Sequence, residues 1–151
     1  MPELRYNLVT TEWVILATER AKRPEDFQKG RKMPEALPSK LDTCPFCPGN
    51  EHMTPPEVLR IGDGPGWDIR AVPNKFSALS PEGERHRSVH GTQRAMSGIG
   101  LHDVVIETPR HDLTTSLLDH EQIEKILLAY RTIYNEMSKD ERIEMVIIFK
   151  N

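Results

Sequence analysis

Long apolar runs are missing from this chain of 151 residues; the two longest are Val14-Ile15-Leu16-Ala17 and Met145-Val146-Ile147-Ile148-Phe149. A membrane-spanning helix needs about 20 such residues, so no helical span is encoded here and no membrane partner is expected. Met1-Pro2-Glu3-Leu4-Arg5 leads into no apolar segment, so no secretory signal is expected either. Cysteine is scarce, with two in the whole chain, which excludes a secreted disulfide scaffold. Charge of one sign is also lacking: 20 Lys and Arg stand against 23 Asp and Glu, a formal net charge of −3. That balance argues against nucleic acid as a partner bound by bulk electrostatics. Internal repeats and single-residue tracts are absent. With 37% hydrophobic and 28% charged residues, the composition is that of a globular protein, expected in the cytoplasm. The length suits one domain that buries roughly two-thirds of its unfolded surface.

Proline, by contrast, is plentiful: there are 12, crowded toward the middle of the chain. Pro24, Pro34 and Pro38 punctuate a Lys/Arg/Glu stretch over 21–40 that has neither helical nor strand period, which predicts an extended surface excursion. Pro45, Pro48, Pro55 and Pro56 surround the cysteines, and Gly62, Gly64 and Gly66 mark turns before Trp67. Residues 80–100 are polar and rich in Gly, Ser, Arg and His, the composition of a mobile loop.

Regular elements are expected between these loops. Residues 13–17 and 68–72 are short β-type runs, and Asp103-Val104-Val105-Ile106-Glu107 is a β-branched run closed by Pro109. Asp119 is placed to cap a helix running to about Ser138. Its apolar face is Ile123, Ile126, Leu127, Tyr130, Ile133, Tyr134 and Met137, a stripe at helical period that predicts packing against a sheet. Residues 145–149 read as a final strand buried on both faces. The order of strands, loops, strand, helix and strand predicts a mixed α/β sheet with one long helix on a face. A core strand at the very end of the sequence suggests that the domain continues beyond Asn151.

Chemistry concentrates in Cys44-Pro45-Phe46-Cys47. A C-x-x-C pair serves as half of a metal site, as a thiol–disulfide redox centre, or as two ordinary thiols. A redox pair normally opens a helix, whose N-terminus lowers the first thiol's pKa. Here Pro48-Gly49-Asn50 follows at once and breaks any helix, so the setting suits a knuckle around zinc better. Two sulfurs leave tetrahedral zinc two ligands short, and six histidines are available. His86 and His90 lie in the polar loop, His120 starts the helix, and His52 follows the knuckle by five residues. His102 and His111 bracket the β-branched run, with His111 in the turn beyond it. Spacing alone does not choose among them.

Several blocks together resemble a known family. They are Leu4-Arg5 with Trp13-Val14-Ile15, Arg20-Ala21-Lys22-Arg23-Pro24, Cys44 through Glu51, and Val72-Pro73-Asn74-Lys75-Phe76-Ser77-Ala78-Leu79. The stretch from His102 to His111 and the terminal Phe149-Lys150-Asn151 complete the set. In this order they resemble the galactose-1-phosphate uridylyltransferases of the histidine-triad superfamily, over most of the first of the family's two related halves. The resemblance implies an α+β fold: a histidine-triad-like half, mostly antiparallel sheet with a long helix on one face and extended Pro-rich loops. It implies zinc held by Cys44, Cys47 and His111, with a fourth ligand in a His-x-His-x-Gln motif whose second histidine is the nucleophile. No histidine follows His120, so that motif is expected beyond Asn151 and no catalytic residue is expected in this chain.

Arg20 and Arg23 match family arginines near the nucleotide phosphates, where guanidinium geometry suits phosphate oxygens. Asn74 and Asn151 match asparagines that contact the nucleotide. The implied activity is transfer of UMP from UDP-glucose to galactose 1-phosphate through a uridylyl-histidine intermediate. A nucleotide sugar and a hexose 1-phosphate are then the small-molecule partners, and a homodimer is the expected assembly. Two positions depart from the uridylyltransferases: Lys75 replaces an acidic residue that reads the ribose, and Gly100-Leu101-His102-Asp103 replaces a Ser-Arg type segment. Both are more similar to the branch containing ADP-glucose phosphorylase-like proteins. The competing expectations are therefore an ADP-glucose phosphorylase-like adenylyltransferase and a non-catalytic zinc- and nucleotide-binding module.

Overall fold

The computed structural model describes residues 2–17, 36–63 and 66–150. Arg20, Arg23 and Asn151 lie outside the described residues, as does most of the expected excursion over 21–40. Two antiparallel sheets and one long helix form the architecture, the α+β class that the resemblance implies rather than the one mixed sheet read from the element order, because neighbouring strands pair as antiparallel hairpins and ladders.

The first sheet contains β1 (Glu3–Asn7), β2 (Glu12–Leu16), β5 (Arg87–His90) and β6 (Gln93–Ser97) in the order β2-β1-β6-β5. The second contains β3 (Leu59–Ile61), β4 (Ile69–Pro73) and β7 (Asp103–Ile106) in the order β3-β4-β7. Helix α1 (His120–Met137) packs on this second sheet.

Central strand β4 is covered on both faces, and the alternation of a strand explains how. Ile69 packs with Ile126 and Ala129 of α1, joined by Leu59, Ile61, Val105, Ile123 and Tyr130. Val72 turns the other way and packs with Trp67 and Ile106. The Asp119 carboxylate caps α1 by accepting from the Gln122 N–H at 2.8 Å. Gln122 then ties the helix to the sheet, donating to the Asp68 and Glu107 carbonyls. No helix among the described residues is long and apolar enough to cross a membrane.

Three expectations need correction. Residues 80–100 hold the β5–β6 hairpin, with Gly91 at φ 60° in its turn. β5 is mostly exposed and neither strand has a fully buried residue, so their polar side chains carry no alternating signal. Residues 145–149 are not a buried strand: they join no ladder, and Met145, Ile147 and Phe149 are 73%, 66% and 63% exposed. β-Branched composition produces a buried strand only where a neighbouring surface pairs with it and covers it. Here β7 ends its sheet, and no strand pairs with its outer edge among the described residues. On α1, Leu127 and Tyr134 of the expected core stripe face outward, while Ala129, outside that stripe, is fully buried.

Candidate metal centre

The cysteine segment is a chain of tight turns. Cys44 N–H donates to the Leu41 carbonyl, Cys47 N–H to that of Cys44, and Asn50 N–H to that of Cys47, at 3.0, 3.2 and 3.1 Å. Successive turns of this kind bring the two side chains to one side of the loop. Gly49 completes the reversal at φ 90°, a conformation that side chains with a Cβ rarely adopt. No helix begins at Cys44, which removes the feature on which a redox dithiol depends.

Asn50 locks the knuckle. Its Nδ2 donates to the carbonyls of Leu41, Asp42 and Cys44 at 3.3, 2.9 and 2.8 Å. The segment just beyond is anchored to the second sheet by charged contacts. Trp67 Nε1 donates to Glu51 at 2.9 Å, and this bond, chiefly, holds the Glu51 carboxyl down to about 2. Buried Arg70 donates to Glu57 at 2.8 Å and to Thr54 at 3.0 Å, with its guanidinium 5.5 Å from the Trp67 ring centroid.

His111 arrives from the turn after β7. Its N–H donates to the Ser39 carbonyl at 2.9 Å, which stitches that turn to the strand of chain leading into the knuckle. Cys44, Cys47 and His111 thereby bring one ligand atom each within 4.8 Å of one another. Cys47 Sγ lies 3.5 Å from His111 Nδ1 and accepts from the Leu41 N–H at 3.4 Å. With zinc–sulfur and zinc–nitrogen bonds of about 2.3 and 2.0 Å, a tetrahedral site has a sulfur–nitrogen edge of about 3.5 Å. The donor set and its spacing fit a divalent metal of zinc's preference.

The electrostatics point the same way. Burial, the larger effect, and the adjacent Cys44 push the Cys47 thiol up, so two bare thiolates are disfavoured. A divalent cation held by Cys44, Cys47 and His111 would reverse that balance by taking up the negative charge. Cys47 is only 2% exposed, which suits a structural ligand better than a reactive thiol.

The other sequence-predicted residues sit elsewhere. Asn74 follows β4, where its Oδ1 accepts from the Phe76 N–H at 2.8 Å. His52 lies exposed in the short 3-10 turn Glu51–Met53 and is not part of the cluster. His86 and His90 belong to the exposed hairpin region, and His120 opens α1. Sequence reading missed Asn50, Arg70 and His102 as organising residues. For Asn50 a signal existed, since an Asn after Pro-Gly often bonds nearby backbone carbonyls and amides in turns.

Comparison with known proteins follows the same outline. The family model described as galactose-1-phosphate uridyl transferase, N-terminal domain, matches residues 1–151. ADP-glucose phosphorylase of Arabidopsis thaliana is 40% identical over 99% of this chain and 43% of its own length. Galactose-1-phosphate uridylyltransferase of Haemophilus influenzae is 30% identical over 99% of this chain and 41% of its own. The crystal structure of the Arabidopsis thaliana ADP-glucose phosphorylase with bound ADP-glucose superposes with a TM-score of 0.56 at 35% identity. That match covers 95% of this chain and 40% of the other. The chain thus spans less than half the length of these relatives.

Proposed function

The chain belongs to the galactose-1-phosphate uridyl transferase family, and from that premise we propose that it is the zinc-holding, nucleotide-binding part of a nucleotidyltransferase acting on ADP-glucose. The observation that carries the reading is the convergence of Cys44, Cys47 and His111, whose ligand atoms lie within 4.8 Å of one another. Cys44, Cys47 and His111 would hold zinc in a structural role, which would fasten the proline-rich knuckle to the turn after β7. Cys44 and Cys47 supply thiolates and His111 a neutral imidazole, the forms in which these side chains ligate metal.

Asn74 contacts the nucleotide from the end of β4. Arg20 and Arg23 offset charge on the phosphate oxygens, and Asn151 contributes a further amide to the nucleotide. Group transfer proceeds by attack of a histidine on the α-phosphorus, which forms a phosphorus–nitrogen bond and releases the sugar 1-phosphate. The nucleotidyl group then passes from that histidine to an acceptor phosphate. We assign the nucleophile to no residue of this chain.

Adenosine is favoured over uridine as the base by the 40% identity to an ADP-glucose phosphorylase, together with Lys75 and His102, which depart from the uridylyltransferase pattern. The 30% identity to a uridylyltransferase supports the second reading: UDP-glucose as donor and galactose 1-phosphate as acceptor. Steady-state kinetics of the full-length protein with each nucleotide sugar separates the two. The expected result is a kcat/KM at least about tenfold higher for ADP-glucose, the size of one or two base-specific hydrogen bonds. A reversed preference establishes the second reading. Failure to bind or turn over either donor overturns both in favour of a module with no transferase activity.

A further inference from the structure

One imidazole organises the loop that follows β4. Asn74 N–H donates to the His102 carbonyl at 2.8 Å, which joins the loop to the residue just before β7. Ala78 N–H donates to His102 Nδ1 at 3.2 Å. The Asn74 Nδ2 stands 3.1 Å from His102 Nε2. Asn74 Oδ1 is already engaged by the Phe76 N–H at 2.8 Å, so it is the NH₂ group of the amide that is turned toward the ring. Two donors therefore face His102 from the same loop.

A neutral imidazole offers one acceptor nitrogen, and an imidazolium offers none. The neutral ring serves one of these donors at a time through its choice of tautomer. Protonation places N–H against N–H at both positions and leaves the Asn74 side chain and the Ala78 amide without the ring as acceptor. We propose that His102 is a positioning residue for nucleotide recognition: through its one accepting nitrogen it holds the 74–78 loop, and Asn74 with it, in binding geometry only while its ring is unprotonated. The proposal rests on the reading of Asn74 as a nucleotide contact.

The surroundings set which charges bear on the ring. Asp103 follows it in the chain; burial pushes that carboxyl up, and the charge of His102 draws it down. The Phe149 ring packs beside His102 at 6.4 Å between centroids and brings no charge. Lys150, next to Phe149, is turned to Glu107 instead. Asp103 is thus one charged group electrostatically coupled to the ring.

The test is the affinity of the full-length protein for ADP-glucose and for UDP-glucose, measured calorimetrically from about pH 8 to about pH 5.5, the range in which imidazoles titrate. Wild-type affinity for the preferred nucleotide is expected to fall by about fivefold on acidification, the size of one lost hydrogen bond. His102→Asn keeps an acceptor oxygen close to the Nδ1 position that does not titrate in this range. It is expected to bind near wild-type strength at high pH and to lose the pH dependence. His102→Phe is expected to bind weakly throughout. In the wild type, the amide resonance of Ala78 is expected to titrate together with the His102 ring. A flat wild-type profile, or a slope that survives in His102→Asn, overturns this inference while leaving nucleotide binding intact. Absence of binding by either nucleotide at any pH overturns the parent reading and this inference with it.

Discussion

Asn50 shows how much of the cysteine knuckle can depend on a residue outside the candidate ligand set. Its amide donates to three carbonyls that would otherwise face one another across the loop. Asn50→Ala is expected to cost about 1–3 kcal/mol in urea unfolding, because carbonyls are left unpaired in a half-buried site. Asn50→Asp is expected to be worse, since it sets a carboxylate against those same oxygens. A second residue-scale prediction concerns Glu51, held at about 2 against an ordinary 4.5 chiefly by the Trp67 N–H. A carboxyl lowered on folding contributes stability above its ordinary value, and that contribution is lost as pH falls through the folded value. Glu51→Gln is therefore expected to show a shallower loss of stability than wild type between about pH 5 and pH 2 in thermal scans. Identical slopes would show that Glu51 contributes nothing. The cysteines were legible in the sequence because their signal is local, two thiols three residues apart. The pairing of His111 with them, across 64 residues, came only from the family resemblance. The His102 contact to Asn74 spans 28 residues, and no local pattern announces it.

At the scale of elements, legibility followed one-sided burial. Helix α1 was readable because Asp119 caps it and its apolar residues recur on one side, facing a sheet. Strand β4 was readable as a short β-type run, although its bounds moved by one residue. The β5–β6 hairpin was not readable, because a ribbon with most residues exposed has no apolar face to alternate with a polar one. Residues 145–149 failed in the opposite direction: the composition of a core strand met no ladder among the described residues. The β3–β4 connection supplies a sharper test. Gly62 sits at φ 136°, and a Cβ there would lie 2.7 Å from Asp68 N and 2.9 Å from Trp67 Cα. Those are backbone atoms that cannot swing aside. Gly62→Ala is expected to destabilise the protein by about 1–3 kcal/mol in chemical denaturation. A neutral result would mean that the hairpin adopts another turn.

Across the whole molecule, the two sheets carry unequal loads. The three-stranded sheet holds both hydrophobic clusters, centred on Ile69 and Val72, and the segment just beyond the knuckle is anchored to its strands through Arg70. No residue of the four-stranded sheet is fully buried. Zinc, on this account, is the clamp that ties the knuckle leading into the three-stranded sheet to the turn that leaves it. Its removal by a chelator is expected to lower the melting temperature and to loosen residues 39–50 before α1 unfolds. The most direct measurement is metal analysis of the purified protein combined with X-ray absorption at the zinc edge. The account predicts close to one zinc per chain, with two sulfur neighbours at about 2.3 Å and nitrogen at about 2.0 Å. It also predicts loss of that metal in Cys44→Ser, Cys47→Ser and His111→Ala. A metal-free native protein with a Cys44–Cys47 disulfide, or zinc retained undiminished when all three side chains are replaced, would contradict it.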